Sequence, residues 1–137
     1  MKAEESGIAM EKELPRPTTE SKSPDLKVRT KQFALRVIKL IGALPRGLSS
    51  DVIGKQLLRS ATSVGANYRA ACRGRSTAEF CAKMGIVEEE ADESSYWLEL
   101  LIEGKIVKAE LLNELLVESN EIVAMVVASI RTAKGNR

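Results

Sequence analysis

The chain has 137 residues with 44% apolar and 29% charged side chains, enough for one domain with a buried core. Its formal net charge of +2 is too small to prove a nucleic-acid partner by itself. Histidine is absent, which removes the commonest general base, the usual zinc and di-iron ligand sets and every Ser–His or Cys–His nucleophile pair.

Residues 1–24 mix charges of both signs with three prolines and no apolar periodicity, and read as a disordered tail. The opening MKAEESGIAM is too acidic for a signal peptide, and no run approaches the roughly 20 apolar residues of a membrane span. A cytoplasmic protein is expected, with Cys72 and Cys81 as reduced, small apolar fillers. Ser23-Pro24-Asp25 supplies a helix start, with Ser23 as cap. Phe33, Val37, Leu40, Ile41 and Leu44 follow at helical spacing until Pro45-Arg46-Gly47 stops the helix.

A second helix is expected from about Ser50 to Cys72, ended by Gly74. A third opens with Ser76-Thr77-Ala78-Glu79, a capping box. Phe80, Met84, Val87, Ala91, Ser94, Leu98 and Leu101 then form a heptad seam. Gly104 ends it, and a fourth helix runs from about Lys108 to Ala133. Long helices joined by short turns predict an all-α, antiparallel up-down-up-down four-helix bundle over 25–133, with 134–137 as a C-terminal tail.

The second helix divides into three faces at 100° per residue. Ile53, Leu57, Ala61, Val64 and Tyr68 form a core stripe. Lys55, Arg59, Thr62, Ala66, Arg69 and Arg73 lie nearly opposite. Between them runs a seam of small or polar residues that includes Ser60, Ser63 and Asn67. This seam reads as helix packing, with Ser63 and Asn67 bonding across the contact. Between Val52 and Ala78 there are five cations, Lys55, Arg59, Arg69, Arg73 and Arg75, and no acid. Such a stripe can follow a phosphate backbone, or it can pair with the acidic third helix.

That third helix carries Glu89, Asp92, Glu99 and Glu103 on one flank. A metal site is not expected there, because a di-iron bundle wants Glu-x-x-His, and no cofactor is implied. Ile86, Glu90, Glu93, Trp97 and Leu100 make another stripe off the core seam, and Trp97 and Leu100 outside the core call for a partner. The run Ile122-Val123-Ala124-Met125-Val126-Val127-Ala128 is apolar nearly all round. Together these predict a homo-oligomer with Ile86, Glu90, Glu93, Trp97 and Leu100 at its interface.

LLRSATSVGANYRAACRGRSTAEF, followed by EEEADESSYWLELL, resembles the four-helix-bundle family of proteins encoded in 23S rRNA intervening sequences. The similarity spans about Lys31 to Ser129. It rests on Arg-Ser-x-x-Ser-x-x-x-Asn at Arg59, Ser60, Ser63 and Asn67, and on Arg-Ser-x-x-Glu-Phe at Arg75, Ser76, Glu79 and Phe80. Many members place an acid soon after the Asn, where this chain has Tyr68-Arg69-Ala70-Ala71. The resemblance implies a ring, a pentamer, without established enzyme activity. It also implies an architecture similar to the accessory variability proteins of diversity-generating retroelements, which present basic surfaces. Fold alone does not fix function. Two readings follow: a non-enzymatic oligomeric bundle touching RNA or DNA through Lys55, Arg59, Arg69, Arg73 and Arg75, or a protein–protein adaptor whose basic and acidic stripes form subunit contacts. No nucleophile has a visible base and no phosphate-binding glycine loop is present, so an enzyme is not expected.

Overall fold

In the computed structural model, residues 25–135 are described. They form α1 (Leu26–Ala43), α2 (Leu48–Cys72), α3 (Thr77–Glu103) and α4 (Ala109–Ala133), with no strand among the described residues. The expected tail at 1–24, with Ser23 and Pro24, lies outside the described residues, as do 136 and 137.

Local chemistry sets each helix end. Asp25 rather than Ser23 caps α1, its carboxylate accepting from the Lys27 amide at 2.9 Å. Pro45 forces Leu44 into extended backbone and ends the helix. Gly47, at φ 152°, begins α2 two residues earlier than expected, a conformation that L side chains rarely adopt. Ser76 caps α3 by accepting from the Glu79 amide at 3.1 Å. The return arm of the box differs from the expectation, because the Glu79 carboxylate accepts from the Arg75 amide, one residue before the cap.

Every neighbouring pair is antiparallel. The α1–α2 register places Thr30 at Gly65 and Ile41 with Leu44 at Gly54. Ser60 meets Ser94 between α2 and α3, Ser95 meets Ser119 between α3 and α4, and Arg29 meets Glu118 between α1 and α4. The result is an up-down-up-down four-helix bundle. Its largest helix contact is α2 with α3, and α1 with α4 is the smallest of the four. Phe33, Leu40, Leu57, Val64, Met84, Leu98, Leu112 and Ile122 fill the centre, all essentially inaccessible to solvent. The α3 heptad seam is buried from Met84 to Leu101, while Phe80 is only half-buried at the end of the bundle.

Four serines inside the bundle are paired helix to helix. Ser60 Oγ and Ser94 Oγ lie 2.9 Å apart, and each also reaches a carbonyl of its own helix, Leu57 and Glu90 respectively. One turn position on, Ser95 and Ser119 are 2.7 Å apart. Small side chains at these four positions let the backbones approach closely, and the shared hydroxyls satisfy each other.

The narrow α1–α4 contact is built differently. Arg29 donates from Nε and Nη2 to both Glu118 oxygens at 2.9 and 2.6 Å, from Nη2 to Glu121 at 2.6 Å, and from Nη1 to Met125 sulfur at 3.1 Å. These partners hold the guanidinium more firmly protonated than usual, chiefly through the Glu118 hydrogen bond. Arg36, one heptad on, is 3.9 Å from Glu114, and burial lowers its proton affinity. The apolar Ile122–Ala128 run does not need cover from outside on most of its circumference. Ile122 and Val126 are fully buried, Val123 and Met125 pack against the core, and the exposed positions are the small Ala124 and Ala128.

The serine contacts generate a stability prediction. Ser94→Ala removes the contacts to Ser60 and to the Glu90 carbonyl and should cost about 1–2 kcal/mol. Ser94→Leu forces α2 and α3 apart and should cost more, about 3 kcal/mol. Urea denaturation of both variants checks the order; a Leu variant as stable as the Ala variant would mean that close approach is not what Ser94 provides.

Candidate nucleic-acid interface

The outer face of α2 is continuous at steps of four and three. Lys55, Arg59, Thr62, Ala66, Arg69 and Arg73 are all exposed, as is Arg75 in the connection to α3. Leu48 and Val52, 81% and 51% exposed, lead into the same face from the other end. The stripe is therefore apolar where α2 begins and cationic where it ends.

Arg59 differs from the other cations. Its Nη1 donates to Glu90 at 3.2 Å, its Nη2 to Glu93, and its Nε to Gln56 at 3.4 Å. The Glu93 hydrogen bond is the main reason that the guanidinium binds its proton more tightly than usual. Arg59 is thus neutralised by the same chain's third helix. The ion pairs among the described residues involve Arg29, Arg36 and Arg59, leaving Lys55, Arg69, Arg73 and Arg75 without a carboxylate. Pairing with the acidic third helix, one of the two sequence readings, is seen at Arg59 and not at the other four cations.

Glu93 is shared. Besides Arg59 it accepts the Trp97 indole N–H at 2.9 Å. The Arg59 hydrogen bond, followed by the Trp97 one, holds its carboxyl below the usual carboxylate range. Trp97 is half-buried against the core and meets Tyr96 edge-on, with ring centroids 5.0 Å apart. Of the five residues expected at an oligomer interface, Glu90, Glu93 and Trp97 thus have partners within the chain. Leu100 is half-buried and Ile86 is 37% exposed. The more exposed apolar side chains lie elsewhere, including Val28, Leu35 and Ile38 on α1 and Val117 on α4.

The small seam also resolves residue by residue. Ser60 is fully buried in the α3 contact. Ser63 and Asn67 are half-buried, and the Asn67 amide donates to the Ser63 carbonyl at 2.9 Å on its own helix. The expected bond across the contact is replaced by this local one, because the amide reaches the carbonyl four residues back without crossing to α3. Tyr68 is half-buried, and burial, aided by Cys72, pushes its phenol up to about 12. Cys72 is exposed and not an apolar filler, Cys81 is half-buried, and both are free thiols.

Among the described residues no three or more Asp, Glu or Cys side chains group in a way that could hold a metal ion. No helix among them is long and apolar enough to cross a membrane.

The model of the 23S rRNA-intervening sequence protein family matches residues 25–128. The chain belongs to this family. A crystal structure of an S23 ribosomal protein family member of unknown function from Bacteroides thetaiotaomicron is 34% identical, with a TM-score of 0.73. The match covers 78% of this chain and 99% of that one. Among curated protein sequences none matches significantly. The matched family region takes in the whole α2 stripe and its acidic partners on α3.

The Arg59–Glu93–Trp97 chain has a pH signature. A carboxyl depressed in the folded protein keeps its contacts above the ordinary value of 4.5 and loses them as pH falls through its own lower value. Because Trp97 is the sole tryptophan, its emission should change in a step below pH 4.5 while helicity persists, and Glu93→Gln should abolish that step. An unchanged step in the variant would show that another group governs it.

Proposed function

We propose that this member of the 23S rRNA-intervening sequence protein family is a non-enzymatic, cytoplasmic bundle that self-assembles into a ring and binds RNA or DNA phosphates. Lys55, Arg69, Arg73 and Arg75 carry the binding, with Arg59 held back by Glu90 and Glu93. The supporting observation is that these four cations are exposed and have no carboxylate partner among the described residues. Cations paired within the fold have little to offer a phosphate, whereas unpaired ones release condensed counterions from the nucleic acid. Binding is backbone-directed and not sequence-reading, since neither an aromatic platform nor a recognition-helix motif accompanies the stripe.

The adaptor reading draws on a separate observation, the exposed apolar side chains Leu48 and Val52 on α2 and Leu35 and Ile38 on α1. Under that reading the open cations dock on the Glu89, Asp92, Glu99 and Glu103 flank of a neighbouring subunit.

The two readings separate in one titration of the purified protein against labelled structured RNA and duplex DNA, followed by anisotropy at low and near-physiological salt. Arg69→Glu/Arg73→Glu should weaken binding at least tenfold and lower the logarithmic salt slope by about 2, with the assembly unchanged in sedimentation. If the wild-type protein does not bind at low salt, or if the double variant falls apart into monomers, the stripe serves subunit contacts instead.

A further inference from the structure

The cations are not evenly distributed along the bundle axis. Alternating helix directions bring the N-termini of α1 and α3 to the same end as the C-termini of α2 and α4. From Thr62 to Val87 the chain carries Arg69, Arg73, Arg75 and Lys83 against one acid, Glu79, whose carboxylate is already bonded to the Arg75 amide. From Ile122 to Gly135 it carries Arg131 and Lys134 and no acid. The serine contacts set the level of these groups. With Ser60 beside Ser94 and Ser95 beside Ser119, the antiparallel registers bring Arg69, Lys83 and Arg131 to within about one helical turn of a common level. All six side chains are exposed.

The α2–α3 seam shows the change directly. At Arg59 the opposing row of α3 supplies Glu90. Shifting both helices by one heptad toward the connection turns that pair into Ala66 and Lys83, so the neutralising acid gives way to another cation. Helix dipoles do not account for the set. They favour Arg69 and Arg131, in the last turns of α2 and α4. They oppose Arg75, directly before the α3 cap, and Lys27 in the first turn of α1.

We infer that the phosphate-binding surface is this end of the bundle, formed jointly by α2, α3 and α4, and that it docks end-on against the backbone of duplex nucleic acid. The inference rests on the nucleic-acid reading above and changes its location and its substrate. Neighbouring helices spaced about 8–10 Å apart give an end roughly 20 Å across, comparable to a duplex. The aromatic side chains at this end, Tyr68 and Phe80, are half-buried and the exposed Tyr96 sits on the acidic flank of α3, so this end offers charge without an open stacking platform, which suits paired bases and not single strands. The acids of α3 beyond Val87 lie farther from this end along the axis, and this charge separation orients the molecule as it approaches a polyanion.

The test uses the full chain and labelled RNA duplex, DNA duplex and single-stranded oligonucleotide of equal length, each at low and near-physiological salt. Lys83→Glu/Arg131→Glu lies wholly outside α2, and Lys39→Glu removes an exposed cation near the C-terminus of α1, at the opposite end of the bundle. The expected result is a tenfold or greater loss for the first, with the salt slope reduced by about 2, and a change within about twofold for the second. Circular dichroism and sedimentation confirm that both variants keep fold and assembly. Full binding by Lys83→Glu/Arg131→Glu would overturn the end-on surface and leave the α2 stripe standing. Tighter binding of the single strand would overturn the duplex assignment, and no binding by the wild-type protein would overturn both readings. The RNA and DNA arms show which duplex is preferred.

Discussion

Close approach of α3 to both of its neighbours is the constraint on which the rest of this bundle depends. Adjacent residues Ser94 and Ser95 face α2 and α4 in turn, each meeting a serine there. A hydroxyl has one proton and two lone pairs, so each pair satisfies itself only when the backbones stay near enough for the oxygens to touch. This fixes both registers at once. Arg59 then falls on Glu90 and Glu93 because Ser60, its neighbour in sequence, is already held at Ser94. The same alignment leaves the cations beyond Arg59 with no acid to meet.

Much of the fold is legible in the sequence because helical period is a local property. The α3 seam from Met84 to Leu101 and the outward set from Lys55 to Arg73 follow from spacing alone, and both hold. Register is not local, and what depends on register was not legible. Spacing alone cannot say which acid of the α3 cluster meets Arg59, or that Trp97 is tied through Glu93 to the same arginine. The Arg29–Glu118 contact was missed for the same reason, although a signal existed. Arg29 and Arg36 stand a heptad apart on α1, and Glu114, Glu118 and Glu121 recur at steps of four and three on α4, each beside an apolar stripe. Asn67 marks a different limit: a polar residue on a packing face is as well satisfied by its own helix as by its neighbour.

Membership of the 23S rRNA-intervening sequence protein family accounts for the scaffold and not for what it does. A bundle of this kind carries its chemistry on its outside. Here that outside is divided into an acidic flank on α3, a neutralised stretch around Arg59, scattered apolar side chains on α1, and the cationic end. The division arises from a sequence of nearly balanced charge, +2 in all. Net charge therefore says little about such a surface, whereas the partition of charge between paired and unpaired groups says a good deal.

The contact between α1 and α4 has a consequence for how the fold comes apart. It is the smallest of the four helix contacts and closes through arginine and glutamate side chains, where the contacts of α3 are held by paired serines and buried apolar side chains. The charged groups of a bidentate ion pair regain hydrogen bonds from water once they part, whereas separated apolar side chains have no such replacement. The bundle therefore has a seam. Loss of Arg29 from Glu118 frees one edge of α1, while α2, α3 and α4 remain joined through their serines and leucines. The expected first sub-global opening is therefore an outward swing of α1 about its α2 edge, exposing Phe33 and Val37 before the remaining three helices separate.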